Sequence, residues 1–179
     1  LLQGTTLLNL DSEAEGELYV GCAGGVDTTA KFAYTPVEVE EGDVAVKVSV
    51  TGCKGGHSGC DIHLQRANAN KLLFRFLKDA VANYEARLAY VEGGSLRNAI
   101  PREAAAVITI PAEGVDEIMD LVAEYEDLFI AEYDGVEDNI QLTATEVECP
   151  ATELPEDVQD FLIHAITACP HGVYRVIPE

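Results

Sequence analysis

Residues 52–60 read Gly-Cys-Lys-Gly-Gly-His-Ser-Gly-Cys, and they separate the two regular patterns that decide the fold. In the preceding residues 44–50, valine at every second position alternates with alanine, lysine and serine, which predicts a half-buried β-strand. In the following residues 69–84, apolar side chains recur at helical spacing and predict an amphipathic helix. Four glycines within eight residues are more than a plain turn requires. We therefore expect this loop to present His57 outward.

The same two periodicities continue along the chain. A second amphipathic helix is predicted at residues 115–129, and further strands are predicted at residues 87–91, 104–110 and 140–147. The order of elements across residues 43–148 is therefore β-α-β-β-α-β. This order predicts an α+β fold of the ferredoxin-like type, in which an antiparallel four-stranded sheet carries both helices on one face.

The segments on either side of this core carry shorter signals. Before the core, β-prone residues predict strands at residues 7–10, 17–22 and 28–39. After the core, Pro155 is predicted to occupy the first position of a third helix, because its missing N–H costs nothing there. Residues 171–177 predict a last strand, for which the sequence offers no partner.

The composition excludes several classes of function. The 179 residues include 32 acidic and 11 basic side chains, a formal charge of −21, so nucleic acids and anionic membrane surfaces are poor partners. The sequence has no apolar run of membrane-spanning length and no signal-peptide pattern. Five irregularly spaced cysteines favour a reducing, cytoplasmic location. Because its only methionine is Met119, the chain is expected to be processed or to be a piece of a longer protein.

Two groups of residues are candidate metal ligands. Asp11 follows a short apolar run, where a carboxylate at the end of a strand can bind a metal; a solvated acidic turn is the alternative. A calcium loop starting at Asp11 is disfavoured, because its twelfth position is Cys22 instead of glutamate. The second group matches none of the usual spacings of structural zinc sites. Its members are Cys53, His57, Cys60 and His63.

His57 and Asn98 are candidates for contact with a substrate. An imidazole can donate a hydrogen bond to negative charge that develops on a substrate oxygen, although a lone loop histidine can equally be structural. Asn98 lies in the connection between two predicted strands, where its amide can hold a substrate carbonyl or carboxylate. The alternative is that Asn98 adopts a left-handed conformation or caps a turn. For His57 and for Asn98, the residues alone leave both the functional and the structural interpretation open.

Three segments together resemble the aminoacyl-histidine dipeptidases, which are cytosolic bacterial Xaa-His dipeptidases within the carnosinase-like di-zinc exopeptidases. They are residues 55–63 (Gly-Gly-His-Ser-Gly-Cys-Asp-Ile-His), residues 66–73 (Arg-Ala-Asn-Ala-Asn-Lys-Leu-Leu) and residues 94–104 (Gly-Ser-Leu-Arg-Asn-Ala-Ile-Pro-Arg-Glu-Ala). Residues 8–13 add a weaker match. The resemblance implies a zinc-binding catalytic domain with an inserted lid, or dimerisation, domain built on a ferredoxin-like sheet.

The same resemblance implies how this chain is divided. Residues 1–25 would end the first segment of the catalytic domain. Residues 26–150 would form the lid, with its ferredoxin-like core at residues 43–148. Residues 151–179 would begin the second part of an enlarged lid.

The resemblance also implies roles for single residues. Asp11 would be a zinc ligand, His57 would stabilise the tetrahedral intermediate, and Asn98 would contact the dipeptide substrate. The parent enzyme would bind two zinc ions and form a homodimer through the lid. The family's His-x-Asp metal motif, bridging acidic ligand, general-base glutamate and last zinc histidine are missing from these 179 residues, so we expect the chain alone to be inactive. The alternative is a non-catalytic ferredoxin-like module that binds a small ligand or regulates a partner.

Overall fold

The computed structural model describes residues 3–6, 8, 14–21 and 24–176. These residues fall into two units, which divide between Lys31 and Phe32. The described part of the first unit has no helix or strand. The strands of the second unit are β1 (Val37–Glu38), β2 (Asp43–Thr51), β3 (Gly56–His57), β4 (Arg87–Gly93), β5 (Ala99–Ile100), β6 (Ala104–Pro111), β7 (Gln141–Val147) and β8 (Thr152–Glu153). Its α-helices are α1 (Ala69–Asn83), α2 (Val115–Glu132) and α3 (Glu156–Ala168).

The central sheet has four strands in the order β4-β6-β2-β7, and every neighbouring pair is antiparallel. With α1 and α2 between the strands, this is the predicted β-α-β-β-α-β arrangement, so the ferredoxin-like prediction is confirmed. The alternation read from the sequence sets the two faces of β2. Val46, Val48 and Val50 are fully buried, whereas Lys47 points to solvent.

The helices and the buried face of the sheet share one apolar core. Asn68 begins α1 as its N-cap, because its side-chain oxygen accepts hydrogen bonds from the N–H groups of Asn70 and Lys71. Tyr125 of α2 packs edge-to-face against both Phe76 and Phe129, with ring centroids 5.8 and 5.6 Å apart. The helical residues that are fully buried in this core include Leu72, Leu73, Phe76, Leu77, Ala80, Ile118 and Phe129.

The third helix packs beside α1 and is tied to the sheet by polar contacts. The Lys71 ammonium donates to the carbonyls of Ile166 and Thr167, both at 2.8 Å, near the C-terminal end of α3. A cation there neutralises carbonyl groups that have no partner within the helix. At the sheet edge, the N–H of Leu88 donates to the Gln159 side chain at 2.6 Å, and Leu154 N donates to the Leu88 carbonyl at 2.9 Å.

Several predictions outside the core are wrong. Residues 17–21 and 171–176 contain no strand, and only Val37–Glu38 of the predicted strand at 28–39 is one. β-Prone residues form a strand only where a partner edge is available, and none reaches these segments within the described chain. Most of the predicted strand at residues 7–10 lies outside the described residues. Cys22 and Ile177, the last residues of two other predicted strands, also lie outside them.

Two small pairings were missed by the sequence reasoning: β1 with β8, and β3 with β5. Each strand in them has two residues, too few to show a period in the sequence. The third helix begins at Glu156, one residue after the predicted start at Pro155. Among the helices in the described part of the chain, none combines the length and apolar character that a membrane span requires.

Candidate functional site

The candidate site is formed by two loops that meet at one end of the central sheet. The first, the His57 loop (residues 52–68), connects β2 to α1, and the second, the Asn98 loop (residues 94–103), connects β4 to β6. They are joined by the short β3–β5 pairing, in which His57 lies opposite Ala99. Ser58 N also donates a 2.9 Å hydrogen bond to the Asn98 carbonyl. The structure therefore brings together His57 and Asn98, the two residues predicted to contact substrate.

The orientation of the His57 imidazole is set by two backbone amides of its own loop. The side chain is exposed, and its Nδ1 accepts hydrogen bonds from Gly59 N at 3.0 Å and Cys60 N at 3.1 Å. An imidazole nitrogen that accepts N–H bonds carries no proton, so the neutral ring has its hydrogen on Nε2. Among the described residues, none accepts a hydrogen bond from Nε2.

The backbone of His57 is held by Asp61 in a closed turn. His57 N donates to Asp61 Oδ2 at 2.8 Å, and Asp61 N donates back to the His57 carbonyl at 2.9 Å. Arg66 reaches the same turn, because its Nη1 donates to the Gly55 carbonyl at 2.7 Å and lies 3.7 Å from Asp61 Oδ2. These contacts hold the backbone of the residues that precede and follow His57.

Glycine at position 56 is required by both conformation and space. Its φ is +148°, a value that side-chain-bearing residues rarely adopt. A Cβ at this position would lie 2.7 Å from Arg66 Nη1 and 2.8 Å from Asp61 Oδ2. The loop can therefore close around Asp61 and Arg66 only if residue 56 has no side chain.

Asn98 is exposed in a turn at the tip of the second loop. It does not have a positive φ, so the left-handed alternative considered from sequence is wrong. Its backbone carbonyl accepts the hydrogen bond from Ser58 N. Next to this loop, a cleft of about 710 Å³ crosses the solvent face of the sheet, and its mixed lining of polar and apolar residues includes Lys47, Ser49, Leu96 and Arg102.

The candidate metal ligands do not assemble into a site within the described chain. No group of three or more His, Cys, Asp or Glu side chains that could hold a metal occurs among the described residues. Cys53 is buried, whereas His57, Cys60 and His63 are exposed. Burial, with a smaller effect of the nearby Glu137 carboxylate, raises the pKa of the Cys53 thiol to about 12, which disfavours the thiolate that zinc binding needs. Asp11 lies outside the described residues.

Sequence reasoning missed three residues that shape this site: Asp61, Arg66 and Glu137. Asp61 and Arg66 belong to the His57 loop itself, so their position in the sequence is a signal for a supporting role. Glu137 had no such signal, because it lies 83 residues from Lys54 and 70 from Ala67, the residues it contacts.

Comparison with known proteins shows the family. Residues 48–137, half of the chain, match the sequence profile of a family described as the peptidase dimerisation domain, of the M20 type. The chain belongs to this family. The matched part covers the His57 loop, the Asn98 loop and both helices of the ferredoxin-like core, so the expected relation to a dimerisation domain is confirmed.

Two relatives of this dimerisation domain are similar over most of the chain. The chain is 42% identical over 174 residues to the cytosol non-specific dipeptidase of Escherichia coli (strain K12), covering 97% of this chain and 36% of that protein. The structure matches the crystal structure of aminoacylhistidine dipeptidase from Vibrio alginolyticus with a TM-score of 0.79 and 40% identity, covering 82% of this chain and 30% of that one. The chain thus spans about a third of the length of these dipeptidases, and the resemblance read from sequence is confirmed.

Proposed function

We propose that this chain is the lid and dimerisation portion of a cytoplasmic zinc dipeptidase that hydrolyses dipeptides of the Xaa-His, carnosine-like class. The family match and the similarity to two dipeptidases support a parent enzyme of this kind. The observation that carries a catalytic role for the lid is the His57 ring. Its Nδ1 is held as an acceptor by two backbone amides, so the exposed ring offers an Nε2–H donor to a substrate.

His57 acts on the carbonyl group of the peptide bond that is cleaved. As this carbonyl carbon becomes tetrahedral, its oxygen gains negative charge, and the Nε2–H of His57 donates a hydrogen bond to it. A donor that is already oriented needs no rearrangement at the moment of reaction, and losing one such donor costs roughly 10²- to 10³-fold in kcat. Since the charge exists fully only near the transition state, the bond raises kcat more than it tightens substrate binding.

Asn98 contacts the same substrate from the neighbouring loop. Its side-chain amide holds a carbonyl or carboxylate oxygen of the dipeptide, which fixes the substrate relative to His57. The 2.9 Å bond between Ser58 N and the Asn98 carbonyl supports this pairing of roles, because it couples the positions of the two loops.

Apart from Asp11, the zinc ligands are assigned to the part of the parent protein outside this chain. The described residues do not fit a zinc site, since they contain no group of three potential ligands. Two zinc ions, with Asp11 as one carboxylate ligand, would supply an activated water and a Lewis acid to the reaction. With a single candidate ligand in this chain, the 179 residues alone are expected to be inactive.

We further assign residues 1–25 to the end of the first catalytic segment, residues 26–150 to the lid and residues 151–179 to the start of its second part. The dimerisation-domain match supports a homodimer that forms through the lid. Light scattering on the full-length protein measures this directly, and a strictly monomeric enzyme would contradict it.

The experiment that tests the function uses the full-length protein and the variants His57→Ala and His63→Ala. His63 is a matched control, because it is an exposed histidine of the same loop. We expect His57→Ala to lower kcat on Xaa-His dipeptides by about 10²-fold or more, with zinc content unchanged, and His63→Ala to leave kcat close to wild type. Wild-type activity in His57→Ala would contradict the proposed role of the lid histidine. Turnover by the isolated 179-residue chain would contradict the assignment of the metal centre to the rest of the protein.

A further inference from the structure

Glu137 connects the two ends of the His57 loop. It follows α2 and is 8% exposed. Its Oε2 accepts a 2.7 Å hydrogen bond from Lys54 N, near the start of the loop, and its Oε1 accepts a 2.9 Å bond from Ala67 N, near the end. One carboxylate therefore closes the loop across its base, with each oxygen bonded to a backbone donor.

The residues next to Glu137 contact the same end of the loop. The Lys54 ammonium donates to the Val136 carbonyl at 2.5 Å and lies 2.8 Å from Asp138 Oδ2. Gly52 has a φ of +77°, and a Cβ on it would lie 1.7 Å from the Asn139 carbonyl oxygen. The segment of residues 136–139 thus contacts the start of the loop at several points.

We propose that Glu137 is a positioning residue for His57, a role that rests on the proposed function of that histidine. The bonds around the imidazole come from Gly59, Cys60 and Asp61, which all belong to the loop itself. They set the ring within the loop but not the place of the loop on the sheet. Glu137 acts on that place together with the β3–β5 pairing, because its carboxylate holds residues near both ends of the loop to the segment after α2.

Glutamine cannot replace Glu137 in this role. Both carboxylate oxygens accept bonds from N–H groups, so an amide would place its own N–H₂ group against one of the two backbone donors. One of the two backbone N–H groups would then lose its acceptor, and one end of the loop would be released. The shape of the side chain would be otherwise unchanged.

A matched control for this substitution exists at the other end of the sheet. Glu153 is also a buried carboxylate, 4% exposed, and it is bonded by Thr109 and lies 3.6 Å from Arg87 Nη2. Thr109 pairs with Ala45 of β2, whereas the His57 loop leaves β2 after Thr51. Glu153→Gln therefore disturbs a buried carboxylate of comparable burial without touching the His57 loop.

The test compares kcat, KM and thermal unfolding of the full-length enzyme in four variants: Glu137→Gln, Glu153→Gln, His57→Ala and the double variant of His57→Ala with Glu137→Gln. We expect Glu137→Gln to lower kcat about 10- to 100-fold with little change in KM, since small misplacements of catalytic groups have effects of this size. Glu153→Gln should lower the unfolding temperature but not kcat. In the His57→Ala background, Glu137→Gln should change kcat by less than about twofold, because the two residues act through one interaction.

The outcomes separate the two proposals. A loss of kcat in His57→Ala but not in Glu137→Gln would overturn the positioning role alone. The same holds if Glu137→Gln lowers kcat in the His57→Ala background as much as it does in the wild-type enzyme. Wild-type activity in His57→Ala would overturn the proposed function itself. If Glu137→Gln fails to fold, amide hydrogen exchange on the wild-type protein is the deciding measurement. The amides of Lys54 and Ala67 should exchange far more slowly than free peptide amides. Unprotected exchange at both amides would contradict the proposed bonds from Glu137.

Discussion

The ferredoxin-like core and the His57 loop are adjacent parts of one domain but are held in different ways. The core is fixed by apolar burial that is shared among many residues of the sheet and of α1 and α2. The loop buries few apolar side chains and depends on a small number of polar contacts made by Asp61, Arg66 and Glu137. The fold is therefore redundantly specified, whereas the position of the candidate catalytic group depends on single residues.

The largest expected effect comes from the core. Phe76 is fully buried in the core and packs edge-to-face against Tyr125, and Phe76→Ala should lower the free energy of unfolding by about 3–5 kcal/mol. Urea unfolding followed by circular dichroism measures this loss. Because the loop has its own polar contacts, the fraction that remains folded should keep slow amide exchange at Ala67. A decrease of less than about 1 kcal/mol in the free energy of unfolding would contradict the view that apolar burial holds the core.

An intermediate effect is expected from the loop backbone. Gly56→Ala forces a side chain into a positive-φ position against Asp61 and Arg66, at a cost of roughly 1–3 kcal/mol, and should lower kcat of the full-length enzyme at least about tenfold. Gly114→Ala is the control, since no atom lies within 4 Å of its added Cβ and its φ is −86°. Steady-state kinetics with both variants checks this. Equal activity in the two variants would show that the loop does not need its observed conformation.

The smallest effect concerns the accessibility of two cysteines. Cys53 is 1% exposed at the base of the loop, and its pKa is raised to about 12, mainly by burial, whereas Cys60 is exposed near the tip. At pH 9 a thiol with a pKa near 12 remains almost entirely protonated, so an alkylating reagent should label Cys60 and spare Cys53. Mass spectrometry of the labelled protein measures this, with guanidinium-unfolded protein as the fully labelled control. Equal labelling of the two cysteines would show that the base of the loop opens readily.

The same contrast explains what the sequence could predict. The strand at residues 44–50 and the helix at residues 69–84 repeat a period that reports burial directly, and their order was enough to predict the topology. The strands predicted at residues 17–22 and 171–177 rest on propensity alone, which says nothing about whether a partner edge is available. The two-residue strands such as β3 and β5 are too short to leave a pattern.

The candidate site was predicted only in part, for a related reason. His57 and Asn98 stood out because glycine-rich and turn-forming neighbours signalled exposed loops, and the structure places those loops side by side. The bond from Ala67 N to Glu137 joins residues 70 positions apart, and no local pattern encodes such a contact. Asp11 remains a prediction, because it lies outside the described residues.

The measurement that tests the central claim most directly compares two affinities of the full-length enzyme, in wild type and in His57→Ala. One is the inhibition constant of a phosphinic dipeptide analogue, whose charged oxygen imitates the tetrahedral intermediate, and the other is the KM of the matching dipeptide. An imidazole that donates to developing charge predicts that His57→Ala weakens binding of the analogue by about 10²-fold or more while KM changes little. Equal weakening of analogue and substrate, or no weakening of either, would contradict the assignment of His57 as the group that stabilises the transition state.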